Sequence, residues 1–325
     1  MASKFKVYVI GTGQIGSRHL QALKGVRMPL DITVVDPSEQ SLAVAKQRYE
    51  EMPQGKCRHT IKYIQKIHTS GNIDLVIIAT TSDMRAKAIK DVLRNNKVRY
   101  FVLEKILFDK KSDYQAVEKI FTKLKIKAWV NCPRRVRPIF KKIKKELTGR
   151  VISLRGTGSQ WGLACNTVQF LDLVSYLTGD NDYAVDTHRL DKKILQSKRR
   201  GFLEISGTLC ANFKNGSYCE LTSYVSGNAP LFIEILNKDM RYIILDLNKA
   251  WVSNVKKGWK WEKISFKTPL ISETTTAVVE DILTKGNCSL TPYKESVKIH
   301  LSLLEPLKEF LNENSRKKYE YYPFT

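Results

Sequence analysis

The stretch Phe5–His19, FKVYVIGTGQIGSRH, constrains this chain more than any other. Val7, Val9 and Ile10 supply a short buried strand, and Gly11, Gly13 and Gly16 follow at the spacing G-x-G-x-x-G. The spacing has a mechanical meaning. The first glycine allows a tight turn and the second lets the backbone approach a pyrophosphate. The third lets a new helix pack on the strand with its N-terminal N–H groups aimed at the phosphates. Gln14 and Ile15 lie between the last two glycines and belong to the same cofactor-facing turn. Asp36 closes LDITVVD at about the 20-residue separation expected of a ribose-binding carboxylate.

Strand and helix patterns then alternate. Leu30–Asp36 reads as a strand, with Pro37 placed in the first turn of the helix that continues over Ser41–Tyr49. Ile61–Ile64 offers a third strand. In Ile73–Thr80, the apolar run Leu75–Ala79 marks a strand buried on both faces, as in a parallel sheet. A helix over Met84–Asn96 follows, then a strand Val98–Leu103, a helix Ser112–Leu124 capped by Ser112, and a strand Ala128–Asn131. The alternation predicts a doubly wound parallel sheet, whose ligands bind at the carboxyl ends of the strands. Thr80, Thr81, Glu104 and Lys105 all lie at that edge, the first three as cofactor contacts.

The pattern changes after Asn131, so the domains are placed at 1–131 and 132–325. A basic helix Pro138–Leu147 leads through Gly149 to a strand Val151–Gly156, and an apolar helix spans Thr167–Leu177. The runs Leu203–Phe213, Ser217–Val225, Leu231–Leu236 and Tyr242–Leu247 read as antiparallel strands, with Asn215-Gly216 as a hairpin turn. Trp251, Trp259 and Trp261 decorate a hairpin, read as core or interface packing. Helices over Thr274–Lys285 and Tyr293–Leu311 finish the chain, the second kinked at Pro306. His19 and His300 fall on apolar helix faces; His300 is read as packed, and His19 as packed or making a local hydrogen bond.

Composition narrows the function classes. The formal charge of +23 would suit an acidic partner. The lysines are spread along the chain, however, and the densest runs, Lys141–Lys145 and Ser197–Arg200, carry no interleaved aromatic residues. The charge is therefore read as a solvated surface, with no nucleic-acid or membrane partner. The six cysteines show no C-x-x-C spacing and no histidine completes a zinc pattern, so free thiols, no metal and a cytoplasmic protein are expected. The apolar run after Lys4 and Lys6 is too short for a signal-peptide core, and no segment has the length of a membrane span.

Taken in order, five segments resemble the Gfo/Idh/MocA oxidoreductases, the glucose–fructose oxidoreductase and inositol dehydrogenase group. They are GTGQIGSRHLQAL at Gly11–Leu23, IATTSDMRAKAI at Ile78–Ile89, Glu104-Lys105, VNCPRRVRPIF at Val130–Phe140 and NTVQFLDLVSYLTG at Asn166–Gly179. The resemblance implies an N-terminal Rossmann domain and a C-terminal α+β domain with an open, mostly antiparallel sheet, one face of which forms a subunit interface. It implies hydride transfer between nicotinamide and a sugar, polyol or nucleotide-sugar group, with a looser likeness to members serving surface-polysaccharide synthesis.

The chain departs from the family pattern at three places. Ile106 stands where the family's E-K-P has proline, and on alignment with Asp172 the expected histidine is Gln169 and the expected first aspartate is Cys165. Histidine passes protons near neutral pH; glutamine only orients a hydroxyl or carbonyl by hydrogen bonding. Lys105 is then the family acid/base residue left in place, and partial desolvation at a strand end would ease its proton exchange. The resemblance also puts Arg135 and Asn166 at the substrate, with a solvated helix end as the other reading of Arg135. Cys165 reads as an active-site thiol or as a small buried residue. Asp172 is read as structural.

Two function classes follow. One is a nicotinamide-dependent oxidoreductase acting on a sugar or nucleotide sugar, with Lys105 and Gln169 at the reacting oxygen. The other is a non-catalytic cofactor-binding sensor or partner subunit that has lost the family's proton relay. Asp36, followed by Pro37 and Ser38 rather than arginine, favours NAD(H) over NADP(H). Strands over Leu203–Leu247 leave one sheet face with residues such as Tyr218, Leu221 and Tyr224, depending on register, which predicts a homodimer or homotetramer through that sheet.

Overall fold

The computed structural model describes residues 4–67, 70–147, 151–245 and 248–325; Gly149 and Leu247, named above, lie outside the described residues. The chain divides into two compact units, residues 1–133 with 269–296, and residues 134–268 with 297–325. The sequence boundary after residue 131 assigned all later residues to the second domain, whereas 269–296 group with the first unit.

In the first unit, β1 (Phe5–Ile10), β2 (Leu30–Val35), β3 (Thr60–Ile64), β4 (Gly71–Ile78), β5 (Asn96–Leu103) and β6 (Lys127–Val130) form one sheet in the order β3-β2-β1-β4-β5-β6. Every neighbouring pair among them is parallel. The order reverses between β1 and β4, so the crevice for a ligand opens at their carboxyl ends. Helices α1 (Gln14–Leu23), α2 (Glu39–Glu50), α3 (Ser82–Asn95) and α4 (Lys111–Lys123) connect the strands. Val7, Val9, Leu75, Ile78, Phe101 and Leu103 are essentially inaccessible, as expected of strands covered on both faces. Helix α2 is capped by Ser38, whose hydroxyl accepts the Ser41 N–H, so Pro37 precedes the cap instead of opening the helix. Helix α4 starts at Lys111 after Lys110, with no side-chain cap, so Ser112 lies inside the helix.

Two segments from the end of the chain complete this unit. Helix α7 is Ile271–Lys285. Thr276 donates its hydroxyl to the Ala22 carbonyl of α1, and Arg27 grips Glu280 with two nitrogens. The short strand Thr291–Pro292 pairs antiparallel with β6.

The second unit opens with a 3-10 turn at Pro133–Val136 and α5 (Pro138–Leu147), whose Ile139, Phe140, Ile143 and Leu147 are buried. Its sheet joins β7 (Ser153–Ser159), β8 (Tyr183–Asp186), β11 (Gly207–Phe213), β12 (Tyr218–Tyr224), β13 (Phe232–Leu236), β14 (Met240–Ile244), β15 (Lys249–Asn254) and β16 (Glu262–Ser265). Two further short strands, β9 (Leu195–Gln196) and β10 (Leu203–Glu204), pair separately. The large sheet runs β16-β15-β14-β13-β7-β12-β11-β8, antiparallel at every junction except β7 with β12. The expected single strand Leu203–Phe213 is thus two. Gly207 takes φ +96°, and a Cβ there would stand 2.6 Å from the Asp191 nitrogen, so the chain turns at this point. The hairpin at Asn215-Gly216 is present, with Gly216 at φ +86° and Asn215 Oδ1 accepting the Ser217 N–H.

Helix α6 (Leu163–Thr178) is four residues longer at its N-terminal end than the apolar pattern suggests. Along β12, Cys219, Leu221 and Ser223 are buried, while Tyr218, Glu220, Thr222 and Tyr224 are more open. Leu221 is therefore a core residue, because side chains alternate faces. The open face mixes polar and apolar groups, with Arg155 and Arg189 both beside Glu220. Trp251 and Trp261 are exposed, at 38% and 43%, so they are not core residues of the single chain. The last helix, α8 (Tyr293–Asn314), runs through Pro306. His300 is fully buried. All six cysteines are free, and no helix among the described residues is long and apolar enough to cross a membrane.

Candidate functional site

The carboxyl edge of the first sheet gathers most of the sequence-predicted cofactor residues. Gly11 leaves β1 at φ +83°, and a Cβ there would stand 2.7 Å from the Thr80 nitrogen. A Cβ on Gly16 would lie 1.8 Å from the Gly11 carbonyl oxygen, so this position brings α1 onto the strand. Gly13 differs from both. A Cβ on it would meet no protein atom within 4 Å, so nothing in the protein's own packing demands glycine there. It caps α1 without a side chain, and the first-turn N–H groups of a helix have no intrahelical acceptor. Ser17 and Gln14 both accept hydrogen bonds from Arg48, at 2.6 and 2.9 Å, which ties α2 to the first turn of α1.

Asp36 is held from both sides. One carboxylate oxygen accepts the Thr12 N–H at 2.7 Å and the other the Ser38 N–H at 2.9 Å. A carboxylate has about four acceptor sites, so capacity for two ribose hydroxyls remains. Thr12 is almost fully buried, yet its hydroxyl has no hydrogen-bond partner, and neither does the Thr80 hydroxyl beside it at the end of β4. Two orphaned hydroxyls at the switch point, and a cradle that a Cβ on Gly13 would fill, are what a bound dinucleotide would satisfy. Thr12 was missed in the sequence, although it stands inside the glycine motif. Thr81 is the residue before α3 and takes an extended conformation.

Glu104 continues β5, its N–H donating to the Ile78 carbonyl at 3.0 Å. Its carboxylate is buried and accepts from His19 Nε2 at 2.9 Å and Asn131 Nδ2 at 2.5 Å. Burial alone would raise its pKa; the hydrogen bond and charge of His19, with Asn131 and Lys105, outweigh it and hold the group below the usual carboxylate range. His19 reaches on to Thr275 of α7 at 2.8 Å, so its bonds are long-range rather than local. Lys105 follows Glu104, half-buried, and its peptide bond to Ile106 is cis. Arg85 of α3, nearly inaccessible, donates to the carbonyls of Thr80, Ile106 and Leu107, fixing the ends of β4 and β5 together.

The second unit presents the first turns of α6. Gly162 caps the helix at φ +80° with no side chain, and Glu204 supplies the missing acceptor, its carboxylate taking the Ala164 N–H at 2.5 Å and the Ile205 N–H at 3.1 Å. Burial pushes the Glu204 pKa up, opposed in part by these N–H groups and by Cys165. A carboxylate thus stands beside Cys165, where the family pattern has an aspartate. No local signal in the sequence announces Glu204, which lies some 40 residues further on. Asn166 donates to the Trp161 carbonyl at 2.8 Å, and Gln169 donates to Asn166 Oδ1 at 3.0 Å.

Arg135 is not at a solvated helix end. It is 5% exposed, and its Nε and Nη2 bind the two Asp172 oxygens at 2.9 and 2.5 Å. Asp172 has no accessible surface, so the pair anchors α6 to the 3-10 turn before α5.

Residues 5–132 match the family of oxidoreductases designated GFO_IDH_MocA, with an NAD-binding Rossmann fold. No curated relative matches by sequence. Among solved structures, a dehydrogenase (MviM) from Clostridium difficile is similar, with 16% identity and TM-score 0.70, over 94% of this chain and 100% of that one. UDP-N-acetylglucosamine 3-dehydrogenase GnnA from Acidithiobacillus ferrooxidans is similar at 13% identity and TM-score 0.67, over 94% and 97%. Biliverdin reductase from Synechocystis, solved with biliverdin and NADP+, is similar at 14% identity and TM-score 0.68, over 92% and 97%. At these identities the likeness establishes the fold.

Proposed function

We propose that this chain, whose residues 5–132 belong to the Gfo/Idh/MocA oxidoreductase family, uses NAD(H) to oxidise or reduce a sugar or nucleotide-sugar derivative. The carboxyl edge of the first sheet carries the reading: open space at Gly13, unpartnered Thr12 and Thr80 hydroxyls, and the fixed Asp36 carboxylate. Bound nicotinamide would supply or accept the hydride. Gly11, Gly13, Gln14, Ile15 and Gly16 present backbone to the pyrophosphate. Asp36 accepts the adenosine ribose hydroxyls and repels a 2′-phosphate, which favours NAD(H). Thr80 and Thr81 line the same edge, and Glu104, committed to His19 and Asn131, holds Lys105 in place.

Lys105 exchanges the proton of the substrate hydroxyl or carbonyl. Gln169 and Asn166 orient the substrate by hydrogen bonds, since neither titrates. Arg135 stays with Asp172 and acts on α6 instead of on the substrate. The sugar class rests on the likeness to the UDP-N-acetylglucosamine 3-dehydrogenase, with its common fold. Subunits associate through the open face of the second unit's sheet.

The test is a panel of UDP-N-acetylglucosamine, other UDP-sugars and free sugars, read as reduced nicotinamide formed with NAD+. Turnover on one class supports the reading. Tight NAD(H) binding without turnover on any would transfer it to a non-catalytic cofactor-binding protein.

A further inference from the structure

A cavity of about 370 Å³ in the second unit is lined by the start of α5, the edges of β13 and β14, and the segment that ends at Thr268. Its walls are mostly apolar, Leu231, Leu245 and Phe266 among them, and no acidic side chain lines it among the described residues. Two guanidinium groups border it, from Arg134 and Arg137.

Arg137 stands apart from the arginines of this unit that bonds or ring contacts hold in place, and unlike the exposed Arg200 and Arg316 it is half-buried. Arg135 is paired with Asp172, Arg189 with Glu220, and Arg241 lies over the Trp259 ring. Arg134 stacks on Phe170, 3.9 Å from the ring centroid. The Arg137 side chain makes no hydrogen bond or ion pair with any described residue, and burial lowers its pKa. Arginine cannot escape such a position by losing its proton. Arg137 is half-buried, so its charge keeps part of its hydration and is reachable by an anion that enters the cavity. The first turn of α5 adds to the field, because Ile139 and Phe140 line the same cavity and first-turn N–H groups lack intrahelical acceptors.

We propose that this cavity binds a small organic anion, a carboxylate or phosphate on an apolar body, with Arg137 gripping the anionic group. The planar fork of arginine matches either oxyanion in two parallel hydrogen bonds. The apolar body lies against Leu231, Leu245 and Phe266. A sugar ring is a poor occupant, because its hydroxyls would face hydrocarbon without partners. The site uses none of the residues assigned to nicotinamide or to proton exchange, so it stands independently of the oxidoreductase reading.

The experiment uses the full chain and four probes: phenyl phosphate, benzoate, inorganic phosphate and the neutral benzyl alcohol. Calorimetric titration should show one saturable site per chain for phenyl phosphate or benzoate, at least about tenfold tighter than for the other two probes. Arg137→Gln should weaken the aromatic anion at least about tenfold, leave NAD(H) affinity unchanged, and keep the melting temperature, since the half-buried side chain it removes bonds no described residue. Phe266→Ala, which leaves the guanidinium in place, should also weaken it. Equal binding by Arg137→Gln, equal affinity for inorganic phosphate alone, or no saturable binding would each overturn the proposal. The ratio between phenyl phosphate and benzoate tells which oxyanion the fork prefers.

Discussion

Replacing two glycines of the first turn by alanine separates what the fold needs from what the cofactor needs. Gly13 sits at φ −60° and ψ −161°, a conformation open to any residue, with no atom within 4 Å of a new methyl group. As a helix cap, alanine is poorer than glycine by somewhat under about 1 kcal/mol. It also restricts the unfolded chain, which returns about 0.4–1 kcal/mol. The two effects offset, so Gly13→Ala should fold with stability within about 0.5 kcal/mol of the parent. Gly16 is the opposite case. A methyl group there lies 1.8 Å from the Gly11 carbonyl oxygen, and rigid backbone holds both sides. Either α1 lifts from β1 or the turn distorts, at a cost at the top of the usual overpacking range, about 3 kcal/mol or more. That amounts to a fall of about 6–12 °C in melting temperature. Urea and thermal unfolding measure the first quantity, and NADH fluorescence titration the second. Gly13→Ala should lose at least about tenfold in NADH affinity, about 1.4 kcal/mol, while remaining as stable as the parent. Equal destabilisation by the two substitutions, or unchanged NADH affinity in Gly13→Ala, would refute the reasoning.

Three further outcomes are expected. Asp36→Ala should narrow the gap between NADH and NADPH affinity, chiefly by weakening NADH; a parent that already binds NADPH as tightly contradicts the role given to Asp36. Arg135→Met leaves the fully buried Asp172 carboxylate without its partner and should cost about 3–5 kcal/mol; Arg135→Met with Asp172→Leu should recover much of that loss, and a single-variant cost under about 1 kcal/mol would show the pair to be dispensable. The folded pKa of Glu104 is depressed, so the unfolded chain binds its proton first as pH falls. Its contribution is present above the ordinary glutamate value of about 4.3 and is lost as pH falls from there through the depressed folded value. Glu104→Gln should therefore flatten the acid limb of a melting-temperature profile, and an unchanged limb would contradict the assignment.

Much of the first unit is legible in the sequence because each element carries its own signal. The β1 strand, the glycine turn and Asp36 are local patterns whose meaning does not depend on distant residues, and the apolar runs in β4 and β5 declare burial on both faces. Helix ends are less legible, since Ser112 has the chemistry of a cap but the chain enters the helix one residue earlier. The break between Glu204 and Gly207 is hidden because a continuous β-rich run gives no sign that Leu203 bonds to Pro323, far along the chain. The same holds at the candidate site. His19, Glu104 and Asn131 are separated in sequence, and only the sheet brings His19 Nε2 and Asn131 Nδ2 to one carboxylate. Glu204 became a partner of α6 through tertiary folding alone, and Arg135 found Asp172 the same way. The face on which Leu221 lies depended on strand register, which alternation without a fixed starting point does not set.

The central claim is tested most directly by Lys105→Met on a substrate found with the sugar panel. The lysine follows Glu104 just past the end of β5, on the sheet edge that holds Asp36, Thr12 and Thr80, so its loss should abolish turnover and leave NADH affinity within about twofold of the parent. Gln169→Ala should raise KM more than it lowers kcat, because an orienting amide acts mainly in binding. A Lys105→Met variant that keeps most of the parent rate would contradict the account.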